Sequence, residues 1–255
     1  MALHILGRLA EKLRRFSAKY GFACDWCGAE IFNYPRRRLC EHCDKLLSRN
    51  DLRTCVKCGR KATDDGVCLN CKAHLPAFER GVSPLVYEGG SAVLVNGLKR
   101  GKRRLAYCLG EEMARAFLER CEFCKNTHNE ELLIVPVPLT LEREKERGYN
   151  QAAELALVVR ERLLEKGVIA ELDLEILIKR RETPQQKRLG FRERAENVLG
   201  AYHVHKRAVC KNRTILLIDD IMTTGATGDA CARALYRAGA KRVYFLVAAA
   251  AKERK

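Results

Sequence analysis

Residues 215–227 read Ile-Leu-Leu-Ile-Asp-Asp-Ile-Met-Thr-Thr-Gly-Ala-Thr, and this run limits what the chain can fold into. Four consecutive apolar residues, Ile215 to Ile218, predict a strand buried on both faces, as in a parallel sheet. Asp219 and Asp220 follow where that strand is expected to end. A short loop of hydroxyls and small residues comes next, and the Ala-rich run from Ala230 to Ala238 predicts a helix. Strand, loop and helix in that order aim backbone N–H groups and a helix N-terminus at a phosphate. Gly225 permits a close backbone approach, and Thr223, Thr224 and Thr227 offer hydroxyl donors beside it, with Ala226 between. Two adjacent carboxylates repel a phosphate. They make sense if the ligand also carries hydroxyls just beyond it, as a ribose 5-phosphate does. Asp219 and Asp220 would accept from the 2- and 3-hydroxyls while the Thr loop holds the 5-phosphate. A plain strand–turn–helix unit needs a cap, but it does not need two Asp and three Thr around one Gly.

The second constraint is cysteine spacing. Of 13 cysteines, eight fall in four C-x-x-C pairs in the first third of the chain. Each pair presents two thiolates to one tetrahedral ion, and two pairs complete a shell. Eight ligands therefore suit two structural zinc ions in a reducing cytoplasm. The simplest arrangement is consecutive: Cys24, Cys27, Cys40 and Cys43 around one ion, and Cys55, Cys58, Cys68 and Cys71 around the other. An interleaved arrangement satisfies the spacing equally. Either site would be closed, with no position open for catalysis. The segment has few apolar residues, so metal binding should supply much of its folding energy. His42 and His74 stand beside Cys pairs that are already complete and read as bystanders. Cys121-x-x-Cys124 has no partner pair and reads as incidental. Trp26 and Tyr34, near the basic run Arg36 to Arg38, would suit either packing or base stacking.

The N-terminal 1–22 carries Leu3, Leu6, Leu9, Leu13 and Phe16 among Lys and Arg, the pattern of an amphipathic helix rather than of a secretory signal. No run approaches the ~20 apolar residues of a membrane span. Leu75 to Arg80 reads as a linker. Strands are expected at 82–87, 132–135, 174–178, 200–205 and 242–247, and helices at 92–98, 105–117 and 151–164. That alternation predicts a mostly parallel sheet with helices on both faces. Residues 99–104, Lys-Arg-Gly-Lys-Arg-Arg, form a basic loop. Arg143, Lys145, Arg147, Gly148 and Asn150 form another between a strand and a helix, suited to a diphosphate. The long polar stretch 179–198 reads as a lid or binding loop. The net charge of +16 attracts polyanions without choosing among nucleic acid, anionic membrane and phosphorylated small molecules.

Residues 215–227 resemble the signature of type I phosphoribosyltransferases that bind 5-phosphoribosyl 1-diphosphate (PRPP). The whole chain after about Phe22 resembles the ComF family, the ComFC- and GntX-like proteins. The resemblance rests on the double zinc ribbon, Gly-Leu-Lys-Arg-Gly-Lys-Arg at 97–103, and Pro-Val-Pro-Leu followed by Arg-Gly-Tyr-Asn-Gln at 147–151. Thr-Pro-Gln-Gln at 183–186, Glu193-Arg194 and Asn197-Val198 complete it. It implies an α/β fold, a type I phosphoribosyltransferase-like mostly parallel sheet flanked by helices with an N-terminal double zinc ribbon. The boundaries implied are an amphipathic helix over 1–22, the ribbon over 23–74 and the phosphoribosyltransferase-like domain over 79–255. It makes Asp219, Asp220 and Thr223 to Thr227 the ribose 5-phosphate contacts, with Mg²⁺ bound alongside PRPP. It makes 143–150, with Arg143, Arg147 and Gly148, the diphosphate loop. It makes 181–194, with Lys187 and Arg188, a closing lid. The lid is similar to that of glutamine amidophosphoribosyltransferases, whose glutaminase domain this sequence lacks. The family is linked to natural competence, to incoming single-stranded DNA and to a ComFA-type helicase-like ATPase partner.

Three functions are compatible with this reading. The first is binding of PRPP and single-stranded DNA, and the second is phosphoribosyl transfer to an acceptor. The third is a zinc-dependent scaffold for a protein partner.

Overall fold

The computed structural model describes residues 23–31, 38–50, 53–121, 130–179, 200–205 and 207–252. The expected helix over 1–22, Tyr34, Cys124 and the lid over 181–194 with Lys187 and Arg188 lie outside them. Among the described residues no helix is long and apolar enough to cross a membrane. The chain divides into two compact units, Met1–Leu47 and Ser48–Lys255, so the break falls between the two cysteine groups.

The first unit is built on a knuckle. Gly28 N donates to Cys24 O at 2.9 Å and Cys24 N to Ala29 O at 2.7 Å, which curls Cys24 to Cys27 into a turn. Helix α1 (Glu41–Lys45) begins directly after Cys40 and carries Cys43 on its buried side.

The second unit repeats that design and adds a sheet. Gly59 N donates to Cys55 O at 2.9 Å, and helix α2 (Leu69–Ala73) begins directly after Cys68 and carries Cys71. The strands that follow are β1 (Arg80–Val82), β2 (Leu85–Val86), β3 (Leu132–Pro136), β4 (Ala170–Leu172), β5 (Leu177–Lys179), β6 (Tyr202–Val204), β7 (Thr214–Met222) and β8 (Arg242–Ala250). The main sheet runs β1-β8-β7-β3-β4, with β2 continuing beside β8, and every pair in it is parallel. A separate antiparallel pair joins β5 to β6.

A parallel sheet is covered on both faces, which is why β3 and β8 are apolar almost throughout. Leu133, Val135, Ile215, Leu217 and Phe245 share one core with Cys231 and Leu235 of helix α8 (Ala226–Arg237). On the other face Tyr244 meets Phe117 of helix α4 (Leu105–Arg120), ring centroids 6.1 Å apart. Helix α6 (Gln151–Glu165) packs against α4 where a Cβ on Gly110 would lie 2.7 Å from Val158. The remaining helices are α3 (Gly89–Lys99), α5 (Leu141–Arg147) and the short α7 (Arg207–Cys210).

Four sequence expectations change. β7 does not end before the Asp pair but runs through it to Met222, because β8 continues to pair with Asp219, Ile221 and Met222. The strand expected over 174–178 is shortened to β5 and lies off the main sheet, whose edge is instead β4, unmarked in the sequence reading. The basic stretch from Arg143 is not a loop: Thr140 caps α5, acidic residues fill its first turn, Lys145 and Arg147 its last, and Gly148 ends it at φ 73°. The linker at 75–80 is packed structure, since Phe78 is fully buried against Phe245 at 5.3 Å and Arg80 opens β1.

Candidate functional site

Strand order locates the site. β3 continues through α6 to β4 on one side, and β7 continues through α8 to β8 on the other. The connections part between β3 and β7, which leaves a crevice at the carboxyl ends of these two strands. The strands are in register there, Pro136 beside Ile218, and Val137 N donates to Ile218 O at 2.8 Å. The segments after β3 and β7 therefore open from one edge.

Asp219 and Asp220 stand on β7 at this crevice. Asp220 is 8% exposed, and its backbone N–H donates to Asp219 Oδ1 at 2.8 Å. Burial and the Asp220 charge push the Asp219 carboxyl up to about 7, while Lys99 and Lys179 pull the other way. Lys99 Nζ lies 3.3 Å from Asp220 Oδ2, so the end of α3 reaches across to the pair. Lys179 Nζ sits 5.6 Å from the centre of the Tyr202 ring. Burial first, then Cys231 and Asp219, raise the Tyr202 phenol, and its hydroxyl hydrogen-bonds with Thr227.

Beyond the Asp pair the backbone turns at Gly225, whose φ of 92° lies in the left-handed region that glycine adopts without strain. Ala226 N donates to Thr224 Oγ1 at 3.3 Å, and α8 starts at Ala226. Thr223 is exposed, and its carbonyl accepts from Arg60 Nη2. The turn thus joins threonine hydroxyls to the N-terminus of a twelve-residue helix, a combination suited to an anion.

After β3, Asn150 caps α6 by accepting from Ala152 N at 2.9 Å, and its amide donates to Val137 O at 3.0 Å. Tyr149 donates to Leu98 O. Arg103 lies 4.2 Å from the centre of the Tyr149 ring and donates to Gly148 O at 2.7 Å. Those contacts join the two basic segments, 97–104 and 143–150. Arg147 Nη1 donates to Gln151 Oε1 at 2.9 Å, and Arg143 is near enough to Tyr202 to act on its charge.

The structure thus places Asp219, Asp220 and the Thr223–Thr227 turn together at the end of β7, with Arg143 linked to the turn through Tyr202. Arg147 contacts Gln151, and Gly148 contacts Arg103 of the 97–104 segment, whose Lys99 pairs with Asp220. The sequence reading missed Lys99, Lys179, Tyr202 and Arg60 as site residues. Lys99 carried a signal, its place in a basic loop. Lys179 carried a weaker one, as the first residue of the stretch read as a lid or binding loop. Tyr202 and Arg60 carried none, because their proximity depends on the β5–β6 pair and the cysteine knuckle folding against this edge.

The cysteines fall into two groups of consecutive pairs. Cys24, Cys27, Cys40 and Cys43 form one, and Cys55, Cys58, Cys68 and Cys71 the other, with all sulfur atoms of a group within 4.8 Å. Cys27 and Cys40 sulfurs are 3.7 Å apart, and Cys58 and Cys68 sulfurs 3.4 Å. Tetrahedral Zn–S bonds of about 2.3 Å place ligand sulfurs roughly 3.8 Å apart, so both groups fit zinc.

No family model matches the chain. Competence protein F of Haemophilus influenzae is 27% identical over 235 residues, covering 88% of this chain and 95% of that protein. Competence protein ComFC of Bacillus subtilis is 28% identical over 209 residues, 80% of each chain. The DNA utilization protein YhgH of Escherichia coli K12 is 28% identical over 208 residues, 80% of this chain and 87% of that one. Among solved structures, the glutamine PRPP amidotransferase of B. subtilis overlaps 56% of this chain and 26% of its own, at 19% identity and a TM-score of 0.33. Hypoxanthine-guanine phosphoribosyltransferase of Schistosoma mansoni overlaps 56% and 54%, at 16% identity and a TM-score of 0.31.

Proposed function

We propose that this homologue of the ComF-type competence proteins binds PRPP with Mg²⁺ at the β3–β7 crevice and single-stranded DNA on its basic surface. It would thereby serve DNA uptake and handling in the reducing cytoplasm, alongside a ComFA-type helicase-like ATPase. The observation that carries the reading is the placement of Asp219 and Asp220, with the Gly225 turn beyond them, at the topological switch point of a parallel sheet. In this reading the turn and the α8 N-terminus hold the 5-phosphate. Asp219 and Asp220 accept from the ribose hydroxyls, and Lys99 balances their charge until the ligand arrives. Arg143 and Arg147, on and at the end of α5, face the diphosphate with Mg²⁺, and Lys187 and Arg188 close over it. The zinc centres are closed tetrathiolates that hold the knuckles folded and leave no position for a substrate. Relatives named for competence and DNA utilization support the biological setting.

The second reading is phosphoribosyl transfer, favoured by the raised Asp219 carboxyl in a crevice, since perturbed acids gather where chemistry happens. The C1–O bond to diphosphate would break through an oxocarbenium-like state, and an acceptor would bond to C1 from the opposite face. Arg143, Arg147, Lys187 and Arg188 would offset charge on the departing diphosphate, and the lid would exclude water. Calorimetry with Asp220→Asn tests the site common to both readings. The loss of a hydrogen bond to a charged acceptor should weaken PRPP about tenfold or more. Unchanged affinity would show that PRPP binds elsewhere.

A further inference from the structure

The second cysteine group belongs to the same compact unit as the crevice, and two contacts tie it to the phosphate turn. From the first half of the knuckle, Arg60 extends beneath the turn and donates through Nη2 to the Thr223 carbonyl. From the second half, the segment after α2 holds α8: Asp229 Oδ1 accepts from Ala77 N at 2.6 Å, and His74 Nε2 lies 3.6 Å from Asp229 Oδ2. Between the two contacts lies a small cleft lined by Arg60, His74, Phe78, Met222, Gly225 and Asp229 among others. The knuckle is itself fixed to the sheet. A Cβ on Gly59 would lie 2.6 Å from Gly81 O, and Asn50 Nδ2 donates to Gly59 O at 2.7 Å.

Arg60 is costly where it stands. Its side chain is 3% exposed, its Nε has no hydrogen-bond partner, and no carboxylate pairs with it among the described residues. A buried guanidinium without a counter-charge destabilises a fold. Its position explains the cost. Its backbone N–H hydrogen-bonds the Cys58 sulfur, which anchors the residue in the knuckle. Its far end grips the carbonyl that precedes the turn.

We propose that Arg60 is a positioning residue, which transmits the folded state of the second cysteine knuckle to the Thr223–Thr227 turn and so sets its affinity for a phosphorylated ligand. The proposal rests on the reading of that turn as the 5-phosphate site. With Thr223 O held, the N–H groups that follow keep one direction. With it released, the turn must be ordered again each time the ligand binds, and that ordering lowers affinity.

The test uses full-length zinc-loaded protein, native and with Arg60→Ala, Arg60→Met and Arg60→Lys. Zinc content, thermal midpoint, amide exchange across 222–228 and calorimetric affinity for PRPP with Mg²⁺ are measured on each. Arg60→Ala should keep its zinc, exchange faster across 223–228 and bind PRPP about tenfold more weakly, the effect of losing one charged hydrogen bond. Arg60→Lys should recover part of that loss. A drop in midpoint with native PRPP affinity and native exchange would make Arg60 merely structural and overturn the proposal. Should Arg60→Ala fail to hold zinc, Arg60→Met keeps the packed stem without the donors and carries the same two outcomes. If the native protein does not bind PRPP, the ligand reading fails, and exchange alone decides for Arg60. Faster exchange in the variant upholds the link, and unchanged exchange removes it.

Discussion

Asp219 is the crevice carboxyl whose environment shifts its proton affinity most. Its carboxyl is raised to about 7 by burial and by Asp220, against roughly 3.9 for an ordinary aspartate. The folded protein therefore binds a proton that the unfolded chain releases between those values, and stability from this group falls as pH rises through about 7. Ligand binding should carry the opposite sign, because an ionised Asp219 is the better acceptor for ribose hydroxyls. Between pH 8 and pH 6 the unliganded protein should gain thermal stability while PRPP affinity weakens. Asp219→Asn should flatten both slopes and raise the midpoint at pH 8 by a few degrees, about 1 kcal/mol for a destabilising site residue removed. A midpoint that rises with pH in the unliganded native protein would refute the burial argument. The Asp pair and the turn were legible in the sequence because chemistry and spacing lie within thirteen consecutive residues. Tyr202 was not, because nothing local marks a side chain that arrives from a distant element, and Lys99 and Lys179 were marked only as members of basic or polar stretches.

At the scale of elements, the turn is only as well placed as α8, and α8 is seated by a missing side chain. A Cβ on Gly228 would lie 2.5 Å from the Phe245 ring on β8, and Phe245 in turn packs on Phe78. Gly228→Ala must push the helix off the sheet or twist the ring, and overpacking of this kind costs about 1–3 kcal/mol. Thermal unfolding should show that loss, and PRPP affinity should fall with it because the helix N-terminus moves. A variant as stable as the native protein would mean that the ring rotates freely. The buried strands β3, β7 and β8 were legible as apolar runs, and α4 and α6 as periodic ones. β4 was hidden because a three-residue edge strand, Ala-Glu-Leu, has no alternation long enough to read. The packed linker at 75–80 was hidden because Phe78 and Ala77 find their partners on β8 and α8, over 150 residues away.

For the whole molecule, the net charge of +16 is the property that single-stranded DNA would meet first. Binding that releases counterions weakens with salt along a slope of about 0.7 per phosphate neutralised. Affinity for a short oligonucleotide should therefore fall steeply between 50 and 200 mM salt. An affinity indifferent to salt would rule out the basic surface as its source. Charge was readable from composition, and the four C-x-x-C pairs made two cysteine groups able to hold a metal readable from spacing. The consecutive grouping of the cysteines needed the fold, because spacing alone allows an interleaved set.

The most direct measurement is calorimetric titration of PRPP with Mg²⁺ into the zinc-loaded protein, alone and with a short single-stranded oligonucleotide. Saturable binding of PRPP at one site per chain is expected, lost or strongly weakened in Asp220→Asn. That affinity should change when DNA is present, the change measuring the coupling between the two ligands. No heat and no binding of PRPP to a protein that retains both zinc ions would contradict both expectations, and would leave the Asp219–Asp220 crevice without its ligand.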